Sequence, residues 1–283
     1  MVQRRMYDDL YIYEFEGDLT VHIPRVKKGR DYIGFWKEGR YSYLFFGSGQ
    51  KGLFPEGLPP FRSETVLRHE DWEAGQGIDV LPLGRITVFP PWKVPAEFQG
   101  IGICIDPGVA FGSGYHPSTR GSLILLERLY REWIPPSVLD LGTGTGILSL
   151  AALKMGTGTA FALDYNNLAV ETARRNRALN GLENRMHLWM GDARDFLHVR
   201  ADLLVANLYF QVLEELLGRE DFYGRPYYLL SGLLGHESHL LQERLKGRLI
   251  LVDQFQENFW FSFLYRNPAP GEIVPSGKEP SDP

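Results

Sequence analysis

The stretch that decides the fold reads Val138-Leu139-Asp140-Leu141-Gly142-Thr143-Gly144-Thr145-Gly146-Ile147-Leu148. A short apolar run precedes the glycines, and a helical pattern over Ile147–Lys154 follows them. Glycines between a strand and a helix let a ligand approach the backbone at the positive end of the helix. The stretch therefore predicts a ligand-binding turn in an α/β sheet, although a glycine-rich turn without a ligand has the same pattern.

The spacing of the glycines distinguishes between nucleotide cofactors. Dinucleotide binding requires G-x-G-x-x-G, which would place a glycine where this chain has Ile147. Gly142, Gly144 and Gly146 form G-x-G-x-G instead, which suits the uncharged nucleoside of S-adenosylmethionine (AdoMet). Asp164 lies 22 residues beyond Gly142, at the end of the next predicted strand, where a carboxylate can accept both ribose hydroxyls. We therefore predict that AdoMet is the cofactor.

A further candidate for cofactor binding follows the third predicted strand of this region. Gly191-Asp192-Ala193 forms a turn that would meet the adenine edge, with the Asp192 carboxylate accepting a hydrogen bond from the exocyclic amine. Gly-Asp is also a common turn without any ligand, so a purely structural role for Asp192 stays open.

Strands and amphipathic helices alternate from Ile101 onward, a pattern typical of a parallel α/β sheet. The last two strands, Leu249–Gln254 and Trp260–Tyr265, are too close together for a helical crossover and should pair antiparallel. Residues 101–267 are therefore predicted to form a Rossmann-like AdoMet-methyltransferase sheet, mostly parallel with a C-terminal antiparallel hairpin.

The first hundred residues have a different pattern. Residues 1–60 are predicted to form a small β-rich module of two aromatic hairpins, which pair Tyr11–Phe15 with Leu19–Ile23 and Tyr32–Trp36 with Tyr41–Phe46. Residues 61–100 are predicted to be a linker and mixed connecting segment, with a short helix over Glu64–Trp72 and a strand over Arg85–Phe89. The proline-rich residues 268–283 lack apolar periodicity and are predicted to be a disordered tail.

Composition excludes several classes of protein. The 283 residues are 44% hydrophobic and 23% charged, which is typical of a globular chain, and the formal net charge of −5 argues against a broadly basic nucleic-acid binder. No apolar run is long enough to span a membrane. Cys104 is the only cysteine, so neither an internal disulfide nor a cysteine-based zinc site can form, and a reducing cytoplasm is expected. His236 and His239 lack a third ligand, so no metal site is predicted.

A second motif precedes the glycine loop and reads Asp106-Pro107-Gly108-Val109-Ala110-Phe111-Gly112-Ser113-Gly114-Tyr115-His116-Pro117-Ser118-Thr119-Arg120. Its glycine, proline and hydroxyl residues predict an ordered loop that feeds a helix near Gly121–Tyr130, capped by Ser118 or Thr119. Together with the glycine loop, this motif resembles the PrmA family, whose members methylate large-subunit ribosomal protein eleven. The resemblance extends from Asp71 to Arg266 and includes Ala206-Asn207-Leu208 and Leu230-Ser231-Gly232-Leu233-Leu234.

The resemblance implies roles for individual residues. Thr119 stands where the family has a threonine that contacts AdoMet, and Phe111 and Gly112 belong to the loop that closes over the cofactor. The glycine loop and its ribose acid match as well. Asn207 matches an asparagine near the transferred methyl group. The implied activity is AdoMet-dependent methylation of lysine or N-terminal amines on a protein substrate, with ribosomal protein eleven as the leading acceptor.

Two departures from the family leave the acceptor open. The family carries a ferredoxin-like N-terminal module that grips the ribosomal protein, whereas residues 1–60 have hairpins and no clear amphipathic helix. Tyr209-Phe210 follow Asn207-Leu208 where the family has small residues. A methyltransferase for another protein lysine, arginine, glutamine or a small molecule is the alternative, and a binding module without turnover is a second one.

Asn207 and His116 are the candidate catalytic residues. A lysine amine has a pKa of about 10.4, so the site must favour the neutral amine before it can attack a methyl group. The Asn207 side-chain oxygen can accept an amine N–H bond, although an asparagine at a strand end also serves as a turn residue. His116 has a suitable intrinsic pKa for a general base, although His-Pro in a compact loop is often structural.

Overall fold

A computed structural model of the protein describes residues 9–26, 31–50, 52, 54–68, 79–108, 110–269 and 272. Within them the strands are β1 (Asp9–Glu16), β2 (Tyr32–Glu38), β3 (Tyr41–Phe46), β4 (Phe61–Arg68), β5 (Leu81–Leu83), β6 (Ile86–Phe89), β7 (Ile101–Cys104), β8 (Ser137–Leu141), β9 (Thr159–Asp164), β10 (Met186–Met190), β11 (Leu203–Asn207), β12 (Tyr227–Leu234), β13 (Ile250–Glu257) and β14 (Trp260–Arg266). The helices are α1 (Ile23–Val26), α2 (Pro117–Glu132), α3 (Ile147–Lys154), α4 (Asn167–Leu179), α5 (Phe210–Leu217) and α6 (Gly235–Leu245).

The large sheet confirms the predicted fold class. Its strand order is β10-β9-β8-β11-β12-β14-β13, and all neighbours pair in parallel except β14, which runs antiparallel to both β12 and β13. The chain reverses its direction of travel across the sheet at β8, between β9 and β11. Ligands bind open α/β sheets at such a switch point, beyond the carboxyl ends of the strands.

Both faces of this sheet are covered, which explains why its central strands are apolar throughout. Successive residues of β8 alternate between two core clusters, with Val138 in the cluster of α2, α3 and α4 and Leu139 in the cluster of α5 and α6. Both side chains are fully buried. A strand buried on both sides reads as a continuous hydrophobic run rather than an alternating one.

The N-terminal residues form a four-stranded antiparallel sheet of order β2-β3-β1-β4. The predicted hairpin of β2 and β3 is confirmed, with Glu38 opposite Tyr41 at its turn. The other predicted hairpin is wrong, because the segment after β1 forms a three-ten turn and α1 instead of a strand. Leu19, Ile23 and Val26 recur at helical spacing, and all three are buried in one cluster under the sheet.

The helix predicted over Glu64–Trp72 is also wrong where the structure describes it. Phe61–Arg68 is strand β4, which pairs with β1 so that Leu67 lies opposite Leu10. The open edge of β1 supplies backbone partners that a local helical pattern cannot take into account. The first sheet consequently extends past residue 60. Most of the predicted disordered tail, 268–283, and residues 69–72 lie outside the described part of the chain.

Residues 81–104 form a small third sheet beside α2, in which β6 pairs antiparallel with β5 and parallel with β7. Its middle strand confirms the strand predicted over Arg85–Phe89. β7 leads directly into the 106–116 loop, so this sheet sets where that loop begins.

The N-terminal sheet packs directly on the large domain. One face covers α1, and the other contacts α4 through a cluster that includes Leu10, Ile33, Phe45 and Leu168. Because α4 begins three residues after Asp164, this contact lies next to the carboxyl ends of the parallel strands. Among the residues described, no helix combines the length and apolarity that a bilayer crossing requires.

Candidate active site

The glycine loop joins β8 to α3 at the switch point of the large sheet. The backbone amides of Gly142 and Thr143 both donate to the carbonyl of Leu163, each at 2.9 Å, which ties the loop to the end of β9. Gly144 has φ +55°, and a Cβ added there would lie 2.3 Å from the Phe111 carbonyl oxygen. Only glycine therefore fits this position, because a side chain would be strained and would collide with backbone.

The Asp164 carboxylate lies directly against this loop. Its Oδ2 accepts the Gly144 amide at 3.0 Å, and its Oδ1 accepts the Asn166 amide at 2.9 Å. Asp164 is buried, and this burial raises the pKa of its carboxyl, while the two amide bonds oppose the shift. An ionised carboxylate offers about four acceptor positions, so each oxygen keeps capacity for a second donor such as a ribose hydroxyl.

The 106–116 loop rests on top of the glycine loop. Thr145 makes two hydrogen bonds to it, from its amide to the Phe111 carbonyl at 2.9 Å and from its hydroxyl to the Gly112 carbonyl at 2.6 Å. The Phe111 side chain is 54% exposed although its backbone is fixed. The two motifs that stand out in the sequence are therefore joined directly, and Phe111 lies at the surface of the site.

Asn176 holds the same two loops together, and sequence reasoning did not single it out. Its Oδ1 accepts the Asp106 amide at 2.8 Å, and its Nδ2 donates to the Thr145 carbonyl at 2.9 Å. Asn176 is fully buried on the inner face of α4. An asparagine on the apolar face of an amphipathic helix is the signal that would have identified it, because such a side chain must find partners.

A second buried acid, Asp140, lies beneath the glycine loop. Its Oδ2 accepts the hydroxyls of Thr143 at 2.7 Å and Ser149 at 2.6 Å. Burial raises the pKa of Asp140 to about 6, partly offset by these hydroxyls. Asp140 therefore fixes the loop to α3 from below, where it is shielded from solvent.

The first turn of α2 contributes Thr119. The hydroxyl of Thr119 is buried, and no hydrogen-bond partner for it occurs in the part of the chain that the structure describes. The carbonyl of the preceding Ser118 accepts the buried Ser231 hydroxyl at 3.0 Å, which connects this turn to β12. A buried hydroxyl without a partner is costly, and such a group is a candidate for a ligand contact.

His116 is the N-cap of α2, the position that the sequence assigned to Ser118 or Thr119. The Ser118 amide donates to His116 Nδ1 at 3.2 Å, and the Ser118 hydroxyl lies 2.8 Å from the same atom. Because Nδ1 accepts a backbone N–H, the imidazole is neutral and carries its proton on Nε2. Burial lowers the pKa of His116, which also favours the neutral ring.

Aromatic rings enclose His116 on two sides. Its ring lies edge-on to Phe111 with centroids 5.0 Å apart and to Trp260 with centroids 4.5 Å apart. The hairpin that carries Trp260 is fastened to α2 by the ion pair of Arg120 with Glu257. The 106–116 loop, α2 and the C-terminal hairpin therefore meet at this histidine.

Asn207 ends β11 beside the glycine loop. Leu208, which follows it, reaches towards Gly142, where an added Cβ would lie 2.3 Å from Leu208 Cδ2. Gly232 in β12 has φ +87°, and a Cβ there would lie 2.8 Å from Asn207 Oδ1. The bulge at Gly232 thus leaves room for the Asn207 amide at the carboxyl edge of the sheet.

Asp192 follows β10 and lies close to Asp164, because the amide of Gly191 donates to the Asp164 carbonyl at 3.0 Å. Its carboxylate caps a short turn and accepts Arg194 Nη1 at 3.0 Å and 2.8 Å. Of the predicted site residues, Asp192 alone is already engaged in an ion pair within the described chain. Within the same residues, no group of three His, Cys, Asp or Glu side chains is arranged to hold a metal ion.

Comparison with known proteins places this arrangement in a family. The sequence model for ribosomal protein L11 methyltransferase (PrmA) matches residues 61–268, well over half of the chain. The chain belongs to the PrmA family. The match contains both loops, Asp164, Thr119 and Asn207, so the resemblance found from the sequence is confirmed. The PrmA match begins at the first residue of β4 and leaves β1, β2 and β3 outside it.

Individual PrmA relatives agree with the family assignment. The ribosomal protein L11 methyltransferase of Limosilactobacillus reuteri is 32% identical over 191 residues, which cover 65% of this chain and 59% of the relative. That of Streptococcus pneumoniae serotype 4 is 35% identical over 218 residues, covering 74% of this chain and 63% of the relative. The chain therefore spans less than two thirds of the length of these two curated relatives.

A solved structure supports the PrmA fold independently. The crystal structure of the ribosomal protein L11 methylase from Lactobacillus delbrueckii subsp. bulgaricus superposes with a TM-score of 0.57 at 26% identity. The superposition covers 67% of this chain and 98% of that one. The likeness thus extends over nearly all of the solved chain.

Proposed function

We propose that this protein is an AdoMet-dependent methyltransferase that acts on lysine or N-terminal amines of a ribosomal protein in the cytoplasm, with ribosomal protein L11 as the leading acceptor. The observation that carries the proposal is the junction of the two loops over Asp164. The Phe111 and Gly112 carbonyls hold the glycine loop, and that loop holds the Asp164 carboxylate. PrmA membership supplies the choice of acceptor.

The donor groups at the site fit AdoMet. Asp164 would accept the ribose hydroxyls, because each of its oxygens accepts one backbone amide and keeps a further acceptor position. The buried Thr119 hydroxyl would make a polar contact with the cofactor without breaking a hydrogen bond to any residue that the structure describes. Gly142 and Gly144 would let the cofactor lie against the backbone, and Asp192 would accept from the adenine amine while keeping Arg194.

Bound AdoMet would supply a methyl group on a positively charged sulfur, whose departure as a neutral thioether needs no strong acid. The residues of the chain must therefore align the acceptor and keep its amine neutral. Asn207 Oδ1 would accept one amine N–H and direct the nitrogen lone pair towards the cofactor. Desolvation of the bound amine would favour its uncharged form over the ammonium.

We assign His116 a supporting role next to this step. Because Nδ1 accepts the Ser118 amide, the ring would need to release its cap before it could take a proton there. Its edge-on contacts with Phe111 and Trp260 suit it instead to hold these two aromatic rings in place beside the proposed cofactor loop. Tyr209, which is 80% exposed and directly follows Leu208, would contact the acceptor at the surface of the site.

The test is methyl transfer from radiolabelled AdoMet to purified ribosomal protein L11 and to whole ribosomes, resolved by mass. Label in L11 supports the proposal, whereas label in another protein or a small molecule would retain the chemistry and replace the acceptor. Asn207→Ala should abolish most turnover while AdoMet still binds. Asn267→Ala is the matched control, because Asn267 follows β14 at the opposite edge of the sheet. Equal losses in both variants would contradict the role of Asn207.

A further inference from the structure

The N-terminal sheet packs on the first turn of α4 at Leu168. Leu168 is buried in a cluster with Leu10, Ile33 and Phe45 of that sheet. A Cβ added at Gly34 would lie 2.1 Å from Leu168 Cδ1 and 3.3 Å from Leu168 Cα. The backbone of β2 therefore approaches the helix as closely as the absence of a side chain allows.

β2 follows α4 towards its beginning. Tyr32 lies near Glu171, whose carboxylate adds to the effect of burial in raising the pKa of the Tyr32 hydroxyl. Gly34, two residues further along β2, reaches Leu168, one turn nearer the helix start. The sheet is consequently docked at the end of α4 that borders the cofactor edge of the large sheet.

A short chain of hydrogen bonds connects Leu168 to the ribose-side acid. The Leu168 amide donates to Asn166 Oδ1 at 2.9 Å, so Asn166 caps α4. The Asn166 amide in turn donates to Asp164 Oδ1 at 2.9 Å. One continuous turn of hydrogen-bonded backbone therefore links Asp164, the helix cap Asn166 and Leu168.

We propose that Leu168 is a positioning residue for the cofactor, and that the N-terminal sheet, by holding Leu168, sets the orientation of Asp164 and thereby the affinity for AdoMet. The inference rests on the proposed function, because it assumes that Asp164 contacts the ribose. By linkage, bound AdoMet must tighten the docking of β2 by the same factor. The N-terminal sheet, most of which lies outside the PrmA match, is in this view part of the cofactor site and not a separate arm.

The test uses the full-length protein and four variants. Gly34→Ala forces Leu168 or β2 to move, and Leu168→Ala removes the side chain that is held. The double variant Gly34→Ala/Leu168→Ala removes the collision, since the close contact at 2.1 Å is to a side-chain atom that alanine lacks. Gly49→Ala is the matched control in the segment that follows β3, because an added Cβ there makes an ordinary contact of 3.4 Å with Tyr11.

AdoMet affinity is measured by calorimetry well below the melting temperature of each variant. Gly34→Ala should weaken binding by at least about fivefold, the lower end of typical coupling between sites. Leu168→Ala should also weaken binding, the double variant should lose less affinity than the two single losses combined, and Gly49→Ala should bind as the wild type does. Hydrogen exchange should slow at the β2 amides when AdoMet is added to the wild type.

Three outcomes would overturn the inference. If Gly34→Ala lowers the melting temperature but leaves the AdoMet dissociation constant unchanged, the contact is structural only. If Leu168→Ala binds AdoMet as the wild type does, or if the two single losses simply add in the double variant, the effect does not pass through the contact of Gly34 with Leu168. If the wild type binds no AdoMet at all, the proposed function fails and this inference fails with it. If the wild type binds AdoMet tightly and no variant changes its affinity, only the inference fails.

Discussion

Replacing Asp164 by asparagine provides a direct measure of the cofactor site. The substitution keeps the size of the side chain but converts one oxygen into an NH2 group. In the native protein the two oxygens accept one backbone amide each, from Gly144 at 3.0 Å and from Asn166 at 2.9 Å. The single oxygen of an asparagine can accept only one of these amides, so the other backbone amide faces the NH2 group, which is also a donor.

The expected loss follows from the hydrogen bonds involved. A hydrogen bond to a charged group contributes about 1.5–3 kcal/mol, and two ribose hydroxyls would bond the carboxylate. An amide oxygen retains part of one such bond, so the loss of binding free energy should be about 3 kcal/mol, which corresponds to roughly a hundredfold weaker AdoMet binding. Isothermal titration with AdoMet at neutral pH measures this directly.

The control is Asp202→Asn at the other edge of the sheet. Asp202 Oδ2 accepts the amide and hydroxyl of Ser137 at 3.0 Å and 2.5 Å, so it is comparably bonded but distant from the cofactor edge. This variant should lose stability without losing AdoMet affinity. A change of less than about threefold in the dissociation constant of Asp164→Asn would refute the ribose assignment, because even one hydrogen bond is worth more than this.

The pH dependence gives a second check on the same residue. Ribose hydroxyls donate to the ionised carboxylate, so AdoMet affinity should be constant at high pH and fall as pH decreases through the pKa of Asp164. Because burial raises that pKa, the fall should begin at a higher pH than an ordinary aspartate would give. Asp164→Asn should lack this component, so the difference between the two pH profiles isolates it.

Three further predictions concern stability and binding. Burial raises the pKa of Asp140 to about 6. The contribution of Asp140 to the free energy of unfolding is therefore fully present below about pH 4 and is lost as the pH rises through about 6. Relative to the wild type, Asp140→Asn should gain up to about 3 kcal/mol of unfolding free energy between about pH 4 and pH 7, measured by urea unfolding. Thr119→Val should keep or raise the melting temperature, because it removes a buried hydroxyl without a partner among the described residues, yet weaken AdoMet binding several-fold, with Thr119→Ser as the control; unchanged binding would remove Thr119 from the site. Arg225→Met should lower the free energy of unfolding by about 3 kcal/mol or more, because the Arg225 guanidinium donates to four backbone carbonyls, and a loss below about 1 kcal/mol would contradict this reading.

The sequence predicts those features of this protein that depend only on residues close together in the chain. The glycine loop needs a strand before it, a helix after it and glycines that tolerate positive φ, and all of these lie within eleven residues. The spacing of Asp164 follows from the length of one helix and one strand. The short gap between β13 and β14 excludes a helical crossover, so their antiparallel pairing is equally local. The fold class of the large sheet and the family of the chain follow from such signals.

Contacts between segments that are distant in the chain decided the secondary structure that the sequence predicted wrongly. Leu19–Val26 has enough β-branched and aliphatic residues for a strand, but its apolar side chains at helical spacing find a core only when α1 packs under the sheet. Phe61–Arg68 became a strand because the open edge of β1 was available, which no local pattern reveals.

The candidate site divides along the same line. The spacing after the glycine loop predicted Asp164, and the resemblance to the PrmA family predicted Thr119 and Asn207. Asn176 and Leu168 are ordinary helix residues until the fold brings the 106–116 loop and the N-terminal sheet against them. The sequence by itself therefore determined which groups can bind and react, whereas the tertiary structure decided which groups hold them in place, because support depends on residues that are distant in the chain.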